Sequence, residues 1–226
     1  MGDAACIIMP GQTILYYRPS NSMKLLYTIN SPYARKVRIV AIEKGLSLDM
    51  QQVVLADPDC PVKQYNPLAK VPVLILHDGS SLYDSRVIVE YLDDCSASNK
   101  LIPQAALSKI SVRRWEALAD GVCDAAVAIM LEQRKAEAAQ DAAWMTKQMD
   151  KVSRGLTVLN DDLANRNWCV DNAFSLADIA VGCMLAYVTM RFAKQIDLAA
   201  QYPNLHRLHL CLQARPSFAG SEPSPY

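Results

Sequence analysis

Two hydrophobic rhythms run along this chain, and the change from one to the other divides it. Lys24–Ile29 (KLLYTI) is a short apolar run that predicts a buried strand. Asn30-Ser31-Pro32 follows, with a serine able to cap a helix and a proline suited to its first turn. Tyr33, Val37, Val40 and Ala41 then recur at helical spacing, which leaves Arg35, Lys36, Arg38 and Glu43 for the wet side. Gly45 stands where a helix C-terminal glycine belongs, and Ser47–Leu55 predicts a second strand. Asp57–Asn66 predicts an irregular segment with a short helix. Val71–Leu76 (VPVLIL) predicts a third strand, with Pro72 near its start. Asp78-Gly79-Ser80 is a tight turn and Leu82-Tyr83 a brief strand. Asp84-Ser85 opens a helix whose apolar stripe is Val87, Ile88, Tyr91 and Leu92.

The order is β-α-β-α-β-β-α over residues 23–98, with a parallel pair first and a hairpin last, which is the order of the thioredoxin fold. After Pro103 the strand rhythm stops. Ala105–Gln140 and Ala142–Ala164 predict long helices, Phe174–Phe192 a helix apolar all round and therefore central, and Pro203–Ala214 a last helix. The fold class is α/β followed by all-α: a thioredoxin-like domain over 23–98 and an all-helical domain over 104–226, joined where Ser, Asn, Lys and Pro cluster. Residues 1–22 stand outside this pattern and are read as a poorly ordered extension.

Composition narrows the function classes. Of 226 residues, 23 are Lys or Arg and 23 are Asp or Glu, so no basic excess draws the chain to nucleic acid or an anionic membrane. No apolar run is long enough to span a bilayer. The seven cysteines are scattered, without a CxxC pair or zinc-ligand spacing, so no metal is expected and a reducing compartment, the cytoplasm, is.

Three short segments carry chemistry together. Ser31 lies at the positive end of a helix dipole, where a thiolate is favoured over a thiol; the serine itself would donate a hydrogen bond rather than ionise. Asn66-Pro67-Leu68-Ala69-Lys70-Val71-Pro72-Val73-Leu74 puts a proline where a strand begins. A cis Val71–Pro72 bond there would leave the Val71 backbone groups able to pair with an extended peptide, and Lys70 could reach a carboxylate. Asp84-Ser85 at a helix start suits an α-amino acid end: the Ser85 amide and hydroxyl for the carboxylate, Asp84 for the amine. A fourth segment, Ser175-Leu176-Ala177-Asp178, reads as a capping box that starts the central helix, a structural role.

In this order and spacing the segments resemble the glutathione S-transferase superfamily, from Met23 to about Pro216. The serine resembles that of zeta- and theta-like members, and RRWEALADGVCDAAV is similar to small bacterial members of unassigned class. The resemblance implies a transferase with glutathione as co-substrate, Ser31 against its thiol, and Lys70, Val71, Pro72, Asp84 and Ser85 around it. It also implies a small electrophile as second substrate and a homodimer. The acceptor pocket is expected along the helix from Trp115 to Asp124, with Tyr187 or Arg191 as further candidates. Asp120 or Asp124 could reach the glutathione amino group across a dimer, but each reads first as a solvated charge on a helix. A non-catalytic glutathione-binding protein and a glutathione-dependent isomerase or peroxidase are the alternatives. Asp84 stands where many members have Glu, and no cysteine lies near Ser31, which disfavours a mixed-disulfide mechanism.

Overall fold

A computed structural model describes residues 22–96 and 99–223. The reading of residues 1–22 as an extension lies outside the described residues, except at Ser22.

Strand β1 (Lys24–Tyr27) is the centre of the first half. It pairs in parallel with β2 (Asp49–Gln52) and antiparallel with β3 (Val73–Ile75), which pairs with β4 (Ser81–Leu82). The four-stranded order is β2-β1-β3-β4. Successive side chains on a strand face opposite ways, and β1 uses both directions. Leu25 and Leu74 enter the main core with α1 (Pro32–Glu43) and α3 (Ser85–Asp94). Leu26 and Val73 enter a smaller cluster with Val53, Cys60 and Val62, the last on α2 (Val62–Tyr65). A sheet covered on both faces needs apolar residues at consecutive positions, which is why KLLYTI does not alternate.

Turn chemistry holds where it was expected. Gly45 follows α1 with φ +65° and Gly79 turns the β3–β4 hairpin with φ +85°, both in the left-handed region. The Ser80 amide donates to Asp78 Oδ1 at 2.9 Å.

The second half is helical: α4 (Ala106–Glu132), α5 (Ala142–Leu163), α6 (Leu176–Phe192), α7 (Leu198–Gln201), α8 (Pro203–Gln213) and α9 (Pro216–Ala219). Helix α6 is buried through most of its length, as its unbroken apolar sequence requires. Its capping box is formed: Ser175 and Asp178 satisfy each other's end of the helix, and Asp178 Oδ1 also accepts from the Cys169 amide at 2.8 Å. One continuous core runs from Leu25 and Val37 through Trp115 and Ile129 to Leu185 and Phe218, so the two halves share their interior.

Three expectations are corrected. The second strand is only Asp49–Gln52, all exposed, because it is the sheet edge. The helix expected to reach Gln140 stops at Glu132, where Gln140 Nε2 turns back to the Lys135 carbonyl at 2.9 Å and Glu132 Oε1 accepts from the Asp141 amide at 3.0 Å. The charged side of α1 is not wet. Arg35 is 4% and Lys36 1% exposed, because α4 and the segment after α8 cover them.

Candidate functional site

The register of the sheet gathers the three segments. Leu26 faces Val73 at the start of β3, so Val71 lies just beyond that strand, at the end of the sheet where β1 runs out toward Ser31. Leu74 faces Leu82 across the antiparallel β3–β4 pair, so the chain leaving β4 toward Asp84 comes to the same end of the sheet. Ser31, Val71-Pro72 and Asp84-Ser85 therefore share one end of the sheet, and the N-termini of α1 and α3 both open there.

Each residue is placed by its neighbours. Ser31 is the N-cap of α1: its Oγ accepts from the Ala34 amide at 3.2 Å, which leaves its own O–H able to donate. The Val71–Pro72 bond is cis. Strand β3 starts at Val73, so the Val71 peptide groups stand outside the ladder. Asn66 shapes the approach to them: it is buried, its Nδ2 donates to the Lys70 carbonyl at 2.9 Å, and its Oδ1 accepts from the Leu68 amide at 2.9 Å. Lys70 is exposed. Asp84 is the N-cap of α3, accepting from the Arg86 amide at 2.9 Å, and Ser85 behind it is buried.

Asp120 holds the two helix N-termini in common. Its carboxylate takes Lys36 Nζ of α1 at 2.9 Å and Arg86 Nε of α3 at 2.9 Å, and Lys36 also reaches Glu116 at 2.9 Å. Burial alone would lower the Lys36 pKa, but the carboxylates of Asp120 and Glu116 outweigh it and the ammonium is held above its ordinary value. The Arg86 pKa is raised chiefly by its hydrogen bond to Asp120. Reading Asp120 as a solvated charge is thus corrected: it is 5% exposed and joins three helices. Asp124, one turn on, is exposed, but it accepts a hydrogen bond from the Tyr33 hydroxyl. Burial first, then Cys123 and the Asp124 hydrogen bond, push the Tyr33 pKa far up, so this phenol stays protonated. Trp115 is buried in the core, and Arg191 lies over the Tyr187 ring, 5.5 Å from its centroid.

Sequence reasoning missed Asn66, Lys36, Arg86 and the Tyr33–Asp124 bond. Only Asn66 carried a local signal, as an Asn preceding Pro in a turn. The others pair residues more than thirty positions apart. Among the described residues no group of three His, Cys, Asp or Glu side chains is placed to hold a metal ion, and no helix is long and apolar enough to cross a membrane.

Comparison with known proteins decides the family. Residues 30–95 match the sequence model of the glutathione S-transferase N-terminal domain, and residues 142–209 that of its C-terminal domain. The chain belongs to the glutathione S-transferase family. An uncharacterized glutathione S-transferase-like protein of Escherichia coli K12, YibF, is 34% identical over 201 residues, covering 89% of this chain and 98% of that protein. Among solved structures, a glutathione S-transferase of Methylobacillus flagellatus KT with glutathione bound is 59% identical, with a TM-score of 0.87 over 90% of this chain and all of that one. Another, from Methylobacterium radiotolerans in complex with glutathione sulfonate, is 39% identical with a TM-score of 0.87, covering 91% and 97% of the two chains. The thioredoxin-like first half and the helical second half are those of the family.

Proposed function

We propose that this glutathione S-transferase binds glutathione at the shared end of its sheet and transfers it to a small electrophile. The observation that supports the reading is the strand order and direction, by which Ser31, Val71 and the Asp84-Ser85 helix start all follow or precede strands at one end of the sheet. A tripeptide with a γ-glutamyl end and a central thiol fits these groups. Ser85 and the α3 N-terminus face the glutamyl carboxylate, with Asp84 for its amine. The Val71 amide and carbonyl pair with the cysteinyl backbone. Lys70 reaches the far carboxylate. The Ser31 hydroxyl donates to the sulfur, which sits against the α1 dipole and loses its proton more readily there. Rate comes from the stabilised thiolate and from holding both reactants together. Two relatives with glutathione or its sulfonate bound support the ligand.

The reading extends to the cytoplasm as the compartment and a homodimer as the working form. The dimer draws support from α3 and the start of α4, where Val87, Leu107 and Ile110 are exposed. Beside them is a cavity of about 240 Å³ lined by Arg86, Val87, Glu90, Arg113, Glu116 and Ala117, whose charges are of both signs. A self-facing interface uses one patch twice, and such a patch complements itself.

Ser31→Ala is the test. The alanine should lower turnover of a model aromatic halide by about tenfold or more, as loss of one donor to a developing anion does. Glutathione should still bind in a calorimetric titration. Unchanged turnover removes Ser31 from the mechanism. Glutathione binding without turnover over a broad set of electrophiles makes the chain a binding protein.

A further inference from the structure

Tyr33 and Asp124 join α1 to α4 two residues past Ser31. Ser31 caps α1 and Tyr33 lies in its first turn, two residues on. Its hydroxyl crosses to the helical half and ends on Asp124 of α4. A phenol has one proton, and here it is committed to the carboxylate, so Ser31 remains the donor for sulfur.

Asp120 and Asp124 lie one turn apart on α4, but their surroundings differ. The Asp120 charge is buried between Lys36 and Arg86. The Asp124 carboxylate is exposed, and among the described residues its partner is a neutral hydroxyl, not a cation. A carboxylate has more acceptor positions than one tyrosine fills. Against the first turn of α1 there is thus an exposed negative group bonded to Tyr33, with capacity left for another donor.

We propose that Asp124, aligned by Tyr33, selects the second substrate, favouring acceptors that carry an ammonium or another hydrogen-bond donor over acceptors that carry a carboxylate. This deepens the glutathione reading and rests on it. A donor-bearing acceptor pairs with Asp124 through a charge-assisted bond, whereas an anionic one meets like charge. Tyr33 is the positioning residue: it fixes the carboxylate but does not itself discriminate.

The experiment is calorimetric and needs no turnover. The wild-type chain, Asp124→Asn and Tyr33→Phe are each titrated with glutathione, S-(2-aminoethyl)glutathione and S-(2-carboxyethyl)glutathione. The wild type should bind the aminoethyl conjugate about tenfold more tightly than the carboxyethyl one, the size of one charge-assisted hydrogen bond. Asp124→Asn should close that gap and leave the glutathione Kd unchanged. Tyr33→Phe keeps the charge but frees its direction, and should narrow the gap without closing it. A purely structural pair would move all three ligands together. Equal affinities for the two conjugates in the wild type, or a gap that survives in Asp124→Asn, overturn the proposal while glutathione still binds. Failure of glutathione itself to bind overturns the reading beneath, and the selection with it.

Discussion

His209 on α8 ties stability to pH through its burial and the Arg35 charge. Burial, then Arg35, then His206 push its pKa down to about 4. In an unfolded chain a histidine titrates near 6.5. Between those values the unfolded state holds a proton that the folded state does not, so acidification through this window favours unfolding. The urea midpoint should therefore fall from pH 7 to pH 4.5, and His209→Gln should reduce that fall. An identical pH profile in the variant would show that His209 does not couple to stability. The same residue scale is where the sequence was least legible. Apolar spacing found the inner face of α1 through Val37, Val40 and Ala41, but Arg35 and Lys36 read as wet. They are buried because Glu116, Asp120, Phe218 and Ser221 come to meet them from 80 or more positions away. No local pattern encodes such a meeting.

Elements were legible in proportion to how much their own sequence ends them. Helix α6 was anticipated within two residues at its start, because Ser175 and Asp178 mark it chemically and its apolar run needs a central place. Helix α1 was equally plain between Ser31 and Gly45. By contrast, α4 stops at Glu132, where Glu132 Oε1 accepts from the Asp141 amide and Gln140 Nε2 donates to the Lys135 carbonyl, bonds that propensity does not foresee. The short α7 and α9 depend on docking rather than on length, and isolated helices of that size are not stable. The three segments of the candidate site were legible as an ordered set, although each alone is an ordinary cap or turn. The capping box carries a prediction of its own. Asp178 is fully buried and accepts from the amides of Cys169 and Ser175 and from the Ser175 hydroxyl. Asp178→Ala orphans those donors and the cap together, and should cost roughly 3 kcal/mol in denaturant unfolding. A loss below about 0.5 kcal/mol, the level of an ordinary surface change, would mean that the box does not hold the helix.

At the scale of the whole molecule, the shared core and the Lys36–Asp120–Arg86 bridge bind the first half to the second as one body. Ser31 and Asp124 thus keep a fixed relation only while both halves are folded. The proposed homodimer predicts that sedimentation at micromolar concentration shows a species near twice the 25.0 kDa chain mass. A boundary at the chain mass alone would refute the homodimer. Replacing Ile110, exposed at the start of α4, with Asp should shift the population toward single chains if that face is the contact.

The cover over Arg35 has a consequence in time. Its guanidinium donates to the Phe218 carbonyl at 3.1 Å and to Ser221 Oγ at 3.3 Å, and Arg38 donates to the Ser221 carbonyl at 3.3 Å. Phe218 follows Arg35 by 183 positions. A ribosome adding about 5–20 residues per second makes α1 wait on the order of ten to forty seconds for that segment. During translation the helix that begins at Ser31 therefore emerges early, with two arginines and an apolar flank uncovered. Completion of the first half is a late event in the birth of the chain, and nascent-chain chaperones have a long opportunity at the helix that Ser31 caps.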